Sequence, residues 1–242
     1  MSYQNKKLNV IWQDRDTRSC FHVGTLIHDE TGYIFSYNHN SLSFKEAINH
    51  GYKPHPLFPN LDEVYKSINL FTAFDRRIPS KNRHDYIMIL RDLGLDEAAD
   101  KMDILKATRG KIANDTYSLE EPITKQESEI QTSFYIQGMR HQNNLHQFEK
   151  KINYDTPLIL EKEPGNQHDS WAIAIYTQHG TKLGYVPRYY SKYICMLIDN
   201  DADVHVKITY INEKSNPHWW VKVDFCASIL QCDQKILQEI LI

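Results

Sequence analysis

A chain of 242 residues is long enough for two domains that each bury a core of their own. Hydrophobic residues make up 41% and charged residues 24%, and no run approaches the roughly 18 apolar residues that a membrane span needs, so a membrane protein is excluded. A net charge of -3, spread over two near-neutral halves, excludes a protein that coats nucleic acid by bulk attraction, and any such site must be local.

The opening stretch, MSYQNKKLNVIW, has no apolar core of a signal peptide, which points to the cytoplasm. Loose alternation over residues 9–13 and 21–27, then a turn at 28–32 leading into 33–37, predicts a small antiparallel sheet. Past Pro54, Pro56 and Pro59, Asn60 with Glu63 three residues on is placed to cap a helix that carries Leu61, Val64, Tyr65 and Ile68 on one face. Tyr86, Ile89, Leu90 and Leu93 predict a second helix ended by Gly94, and a third runs from about Asp96 to near Gly110. Residues 120–133 are polar and lack apolar periodicity. The expected organisation is therefore an α+β module over residues 1–122, a linker over 123–131 and a second module over 132–242.

After the linker the period changes from helical to alternating. Strands are expected at 133–139, 157–163, 170–177, 182–186, 204–211 and 219–227, with one helix at 188–198. Val204, Val206, Ile208 and Tyr210 point to one face, as do Val221, Val223 and Phe225, while His205, Lys207, Thr209, Lys222 and Asp224 point to the other. Six short strands and one helix suit an OB-like β-barrel. The fold class expected of the whole chain is α+β.

Catalytic chemistry finds little support. Cys20, Cys195, Cys226 and Cys232 form no C-x-x-C pair, and no His/Cys group has a metal-ligand spacing, so reduced cysteines and no bound metal are expected. There is no glycine-rich phosphate loop, and acidic groups such as Asp14/Asp16 and Asp199/Asp201/Asp203 sit in turns without His or Lys partners. A protein that binds without turnover and without a cofactor follows.

The informative stretch is Glu163-Pro-Gly-Asn-Gln-His-Asp-Ser-Trp-Ala-Ile173, followed by Leu183-Gly-Tyr-Val-Pro-Arg188, with Gly138-Met-Arg140 before both. In this order the motifs resemble the HIRAN domain. That resemblance implies an OB-like barrel whose members in the helicase-like transcription factor group capture the 3′ end of single-stranded DNA. It implies Arg140 near the bound strand, Asn166 and Asp169 as hydrogen-bonding partners of the terminal nucleotide, and Arg188 near phosphate. Aromatic residues that follow the arginine and precede the aspartate in those members are His141, Gln142 and His168 here, so rings are sought in His141, His168, Tyr185 and Trp220. Bland readings stand beside these. Asn166 and Asp169 are also the residues that tight turns favour, Pro187-Arg188 also starts a helix, and of Trp219 and Trp220, alternating in a strand, one belongs in the core.

The first half resembles the small N-terminal subdomain of HipA-like serine/threonine kinases, on Val23-Gly-Thr-Leu26, Gly32–Tyr37, Leu70-Phe-Thr-Ala-Phe74, Arg77-Ile-Pro79 and Asp103–Gly110. That subdomain packs on a kinase body and carries no phosphoryl-transfer residues. The two resemblances together imply an adaptor in which one module docks a HipA-like kinase of a toxin-antitoxin or defence system and the other binds single-stranded DNA or other nucleic acid. The alternatives are a pure protein-interaction module, and an enzyme whose site forms only with a partner. A nucleic-acid groove would gather Arg140, Arg188, Lys207 and Lys222; an interaction module would scatter them.

Overall fold

Alternating side chains and short turns build the sheets of this protein, whose computed structural model describes residues 5–142 and 152–229. The chain divides into two units, residues 1–122 and 123–242. The elements are α helices and antiparallel sheets, an α+β class in both units.

In the first unit β1 (Lys6–Gln13), β2 (Cys20–Asp29) and β3 (Gly32–Tyr37) form the expected hairpins, and the sheet is extended by β4 (Tyr65–Ser67) at one edge and β5 (Tyr117–Glu120) at the other. Its inner face is aromatic. The Phe35 ring lies 4.4 Å from Phe58 and 5.6 Å from Phe74, and Phe58 stacks on Phe74 at 5.8 Å. Each such buried ring contributes about 2–3 kcal/mol by leaving water, with a further increment from ring geometry. Helix α1 (Leu42–Asn49), which has no counterpart in the sequence reading, starts at Ser41, whose Oγ accepts from the Phe44 N–H at 3.1 Å, and it buries Phe44 and Ala47. Helix α2 (Thr72–Asp75) is a single turn. Helix α3 (Tyr86–Asp92) is the expected one and buries Tyr86 and Leu90.

Two expectations are corrected. The helix over residues 60–68 is absent: Asn60 Oδ1 accepts from the Asp62 N–H at 3.0 Å, the Tyr65 hydroxyl closes on the Asn60 backbone, and residues 65–67 pair with β3. Three prolines and the open edge of β3 outcompete a helical spacing that spans only about two turns. The third helix, α4 (Lys101–Thr108), begins later than Asp96 because Asp96 closes its own turn on Ala98, and a reciprocal cap between Asp100 and Asp103 sets the start.

In the second unit β6 (Thr124–Gln126) and β7 (Glu129–Tyr135) form a hairpin, so most of the segment read as a linker is sheet; β6 is exposed throughout and has no alternation to show it. The remaining elements are β8 (Leu158–Lys162), β9 (Ile173–Thr177), β10 (Lys182–Tyr185), α5 (Arg188–Asp199), β11 (Asp203–Ile211) and β12 (Val221–Ser228). They make a three-stranded sheet, β10-β9-β8, and a four-stranded sheet, β11-β12-β7-β6. Val221, Val223, Phe225 and Ala227 are buried as alternation requires, and Tyr190 of α5 stacks on Phe134 of β7 at 5.4 Å.

The two sheets are joined at one corner. Past β7 the chain leaves β12 after an Ile136 N–H bond to the Val221 carbonyl, and Gln137 then exchanges both backbone hydrogen bonds with Tyr185 of β10, at 2.9 and 2.8 Å. This crossing of one strand between two sheets is the corner device of an open OB-like barrel. It requires glycine at 184. The backbone there has φ +156°, and a Cβ would lie on the Gln137 carbonyl oxygen and 2.8 Å from Ile136 Cγ2.

Candidate functional site

The Gln137–Tyr185 corner organises the residues that the motifs single out. Immediately past it Gly138, at φ +73°, turns the chain into a 3-10 turn, Met139–His141, in place of the expected strand end. Met139 is buried as the anchor, which leaves Arg140 and His141 exposed, with Arg140 Nε 2.9 Å from His141 Nε2. This turn lies against β10 and against a second 3-10 turn, Pro217–Trp219.

On the other side of Tyr185 is the loop of residues 163–172. Its neck is closed by the Glu163 N–H on the Ala172 carbonyl at 2.8 Å. Asn166 Oδ1 accepts from the His168 and Asp169 N–H groups, and its amide donates to Glu163. Asp169 Oδ1 accepts from the Trp171 N–H at 3.0 Å, while its second oxygen lies 3.9 Å from Arg188 Nε at the start of α5. The side chains of Asn166 and Asp169 thus hold the loop, as tight turns use them, and Asp169 also aims Arg188. His168 and Trp171 are exposed on the same loop.

Tyr185 ties the two halves together. Its hydroxyl donates to Glu163 at 3.0 Å, and Lys182 Nζ bonds both Glu163 at 2.5 Å and the Tyr185 oxygen at 2.7 Å while sitting 4.2 Å from the Tyr185 ring centroid. Burial works against the Lys182 ammonium, but its bonds to Glu163 and Tyr185 outweigh it and hold the group above the ordinary lysine range. Burial likewise works against the Glu163 carboxylate, and its bonds to Lys182, Asn166 and Tyr185 hold it below the usual carboxylate range. Lys182 therefore holds the hydroxyl end of the ring that the sequence offers for stacking, and Tyr185 acts as a strut. At the loop's far end the buried Cys195 thiol of α5 donates to the Trp171 carbonyl at 3.4 Å, and burial pushes that thiol up to about 11.

Of the candidate residues, the structure brings Arg140, His141, Asn166, His168, Asp169, Tyr185 and Arg188 around one corner. The expected strand start at Trp219 is corrected. The strand begins only at Val221, because Asn216 caps the 3-10 turn before it, so neither tryptophan alternates; both are half-buried, and the Trp220 indole N–H is spent on the Ser215 carbonyl at 3.0 Å. The four cations divide. Lys207 stands opposite Asp224 on the solvent face of the four-stranded sheet and Lys222 lies 5.9 Å from the Tyr135 ring, whereas Arg140 belongs to the turn that follows the Gln137–Tyr185 bridge and Arg188 begins α5 just past Tyr185. Lys182, Glu163 and Trp171 were not singled out in the sequence. The first two gain their role from each other across 19 residues of sequence, but Trp171 lies inside the motif and its residue type was the available signal.

Cys20, Cys195 and Cys226 form no disulfide with one another, and Cys232 lies outside the described residues. Among the described residues no helix is long and apolar enough to cross a membrane.

Among solved structures, a Lactobacillus plantarum protein is 20% identical over 41% of this chain and 96% of its own, with a TM-score of 0.36. The HIRAN domain of human HLTF is 12% identical over 48% of this chain and 89% of its own, with a TM-score of 0.36. The HLTF HIRAN domain in its DNA-bound conformation is 14% identical over 42% and 74%, with a TM-score of 0.28. No curated protein matches the chain. The HipA-like resemblance of the first half lies outside the stretch matched by a family model, and that model, covering residues 131–224 of the second unit, is the HIRAN domain.

Proposed function

We propose that the second unit binds nucleic acid at the Tyr185 corner, without catalysis, and that single-stranded DNA is its ligand. The observation that carries this reading is the pair of loops held on either side of Tyr185, one presenting Arg140 and His141 and the other His168 with Arg188 behind it. Guanidinium groups beside exposed rings on a rigid corner supply what a single strand needs, namely phosphate contacts and flat surfaces for unstacked bases. The HIRAN match over residues 131–224 supports it, because a nucleic-acid end site is what the resemblance implies for these positions. Capture of a free 3′ end is the finer form of the same reading.

For the first unit we propose docking of a protein partner, with a HipA-type kinase as the partner the resemblance implies, so that the whole chain acts as an adaptor. Support comes from apolar side chains left to solvent around β4, where Val64 is 53% and Ile68 85% exposed.

The test is a fluorescence-anisotropy titration of the full chain with single-stranded DNA carrying a free or blocked 3′ hydroxyl, with RNA and duplex controls, at two salt concentrations. The expected result is salt-sensitive binding to single strands that falls by roughly 10- to 100-fold in the Arg140→Ala, His141→Ala, His168→Ala triple variant, with a shallower salt slope. All three side chains are exposed, so the fold should survive the change. Absence of binding to every ligand at low salt would instead favour the pure protein-interaction module.

A further inference from the structure

We propose that Trp171 is the principal base-stacking ring of the site, an inference that rests on the nucleic-acid reading above. The positions where the resemblance places aromatic residues hold His141, Gln142 and His168, and Tyr185 is half-buried with its hydroxyl tied to Glu163 and Lys182. Trp171 lies two residues past Asp169 and is 42% exposed.

Its exposure is built. The Trp171 N–H is fixed by Asp169 Oδ1 at 3.0 Å, and its carbonyl is fixed by the buried Cys195 thiol at 3.4 Å. The next residue, Ala172, is buried, donates its N–H to the Asp169 carbonyl at 3.0 Å, and its own carbonyl closes the loop neck with Glu163. With the backbone held on both sides, little ordering entropy remains to be lost when a planar ligand lands on the indole. The carboxylate that fixes Trp171 also pairs with Arg188, so a large aromatic surface and a guanidinium are held by one side chain. That combination fits a nucleotide, whose base needs a ring and whose phosphate needs a cation. It favours single strands, since in a duplex the base faces are already stacked.

The experiment titrates the full-length chain and its Trp171→Ala and Trp171→Phe variants with a fluorescein-labelled oligothymidylate at two salt concentrations, reading anisotropy, and reads intrinsic tryptophan quenching with the unlabelled strand. Trp171→Ala is expected to weaken binding by about 5- to 100-fold. Its salt slope should stay that of the wild type, because stacking neutralises no phosphate. Trp171→Phe should stay within about threefold of the wild type, since a smaller ring still stacks, and should lose most of the quenching. Wild-type affinity in the alanine variant overturns the assignment while leaving the nucleic-acid reading in place, and a wild-type chain that binds nothing overturns both. Should the alanine variant fold poorly by circular dichroism, quenching in Trp171→Phe decides: an undiminished amplitude overturns the assignment, and its loss supports it.

Discussion

Gly184→Ala is expected to destabilise the second unit by roughly 3 kcal/mol, lowering its melting temperature by on the order of 10 °C. Two costs add. The backbone at φ +156° is one that a side-chain-bearing residue adopts only under strain, and the new Cβ would fall on the Gln137 carbonyl and 2.8 Å from Ile136 Cγ2, in the one place where β10 crosses the chain leaving β7. Neither neighbour is the flexible end of a long side chain, so relief must come from moving the corner itself. Gly165→Ala is the matched control: an added Cβ there meets nothing within 4 Å, and a change of less than about 1 kcal/mol is expected. Thermal unfolding followed by circular dichroism measures both. Because Gly184 sits beside Tyr185, residual binding by the folded fraction of the alanine variant should also fall.

Arg109→Ala is expected to cost the first unit about 3–5 kcal/mol, because it strands a charge. Glu120 is only 3% exposed at its side chain, and Arg109 is its cationic partner: Arg109 Nε lies 2.9 Å from both carboxylate oxygens, Nη2 bonds Oε1, and the Ser118 hydroxyl donates to Oε1 at 2.7 Å. Removal of the guanidinium leaves a desolvated carboxylate with one hydroxyl donor. The pair also closes structure across the unit, since the Leu119 N–H bonds the Arg109 carbonyl at 2.8 Å where α4 ends beside β5. An Arg109→Met, Glu120→Leu double variant should recover most of the loss, as apolar replacement of a buried pair removes both charges together. Urea unfolding of the single and double variants tests this, and equal destabilisation by both would show that the charge is not the cause.

The second unit was the more legible half because its strands alternate cleanly. Val221, Val223 and Phe225 announced β12, and the helix at α5 was readable from Tyr190, Ile194 and Leu197. In the first unit, Leu61, Val64, Tyr65 and Ile68 have helical spacing, yet no helix forms and residues 65–67 become an edge strand, because the decisive partner, the free edge of β3, lies about thirty residues away in sequence. Helix α1 was missed because it buries only Phe44 and Ala47, too few for a periodic signal. β6 was missed because none of its three residues is buried.

The site divides along the same line. Residues whose role is local were visible: glycine turns, Asn166 and Asp169 in their loop, and Arg188 after its proline. Lys182 was not, since its position depends on Glu163, 19 residues away in sequence, as well as on Tyr185 of its own strand, and together they make Tyr185 a strut. The expected start of β12 at Trp219 falls two residues before the real one, in a turn that Asn216 caps.

Hydrogen–deuterium exchange of the full chain with and without a single-stranded oligonucleotide is the most direct test of the central claim, that nucleic acid binds at the Tyr185 corner. Slowed exchange at residues 138–142, 166–172 and 185–188 is the predicted result. Protection confined to the first unit, or to the solvent face of the four-stranded sheet around Lys207, would contradict it.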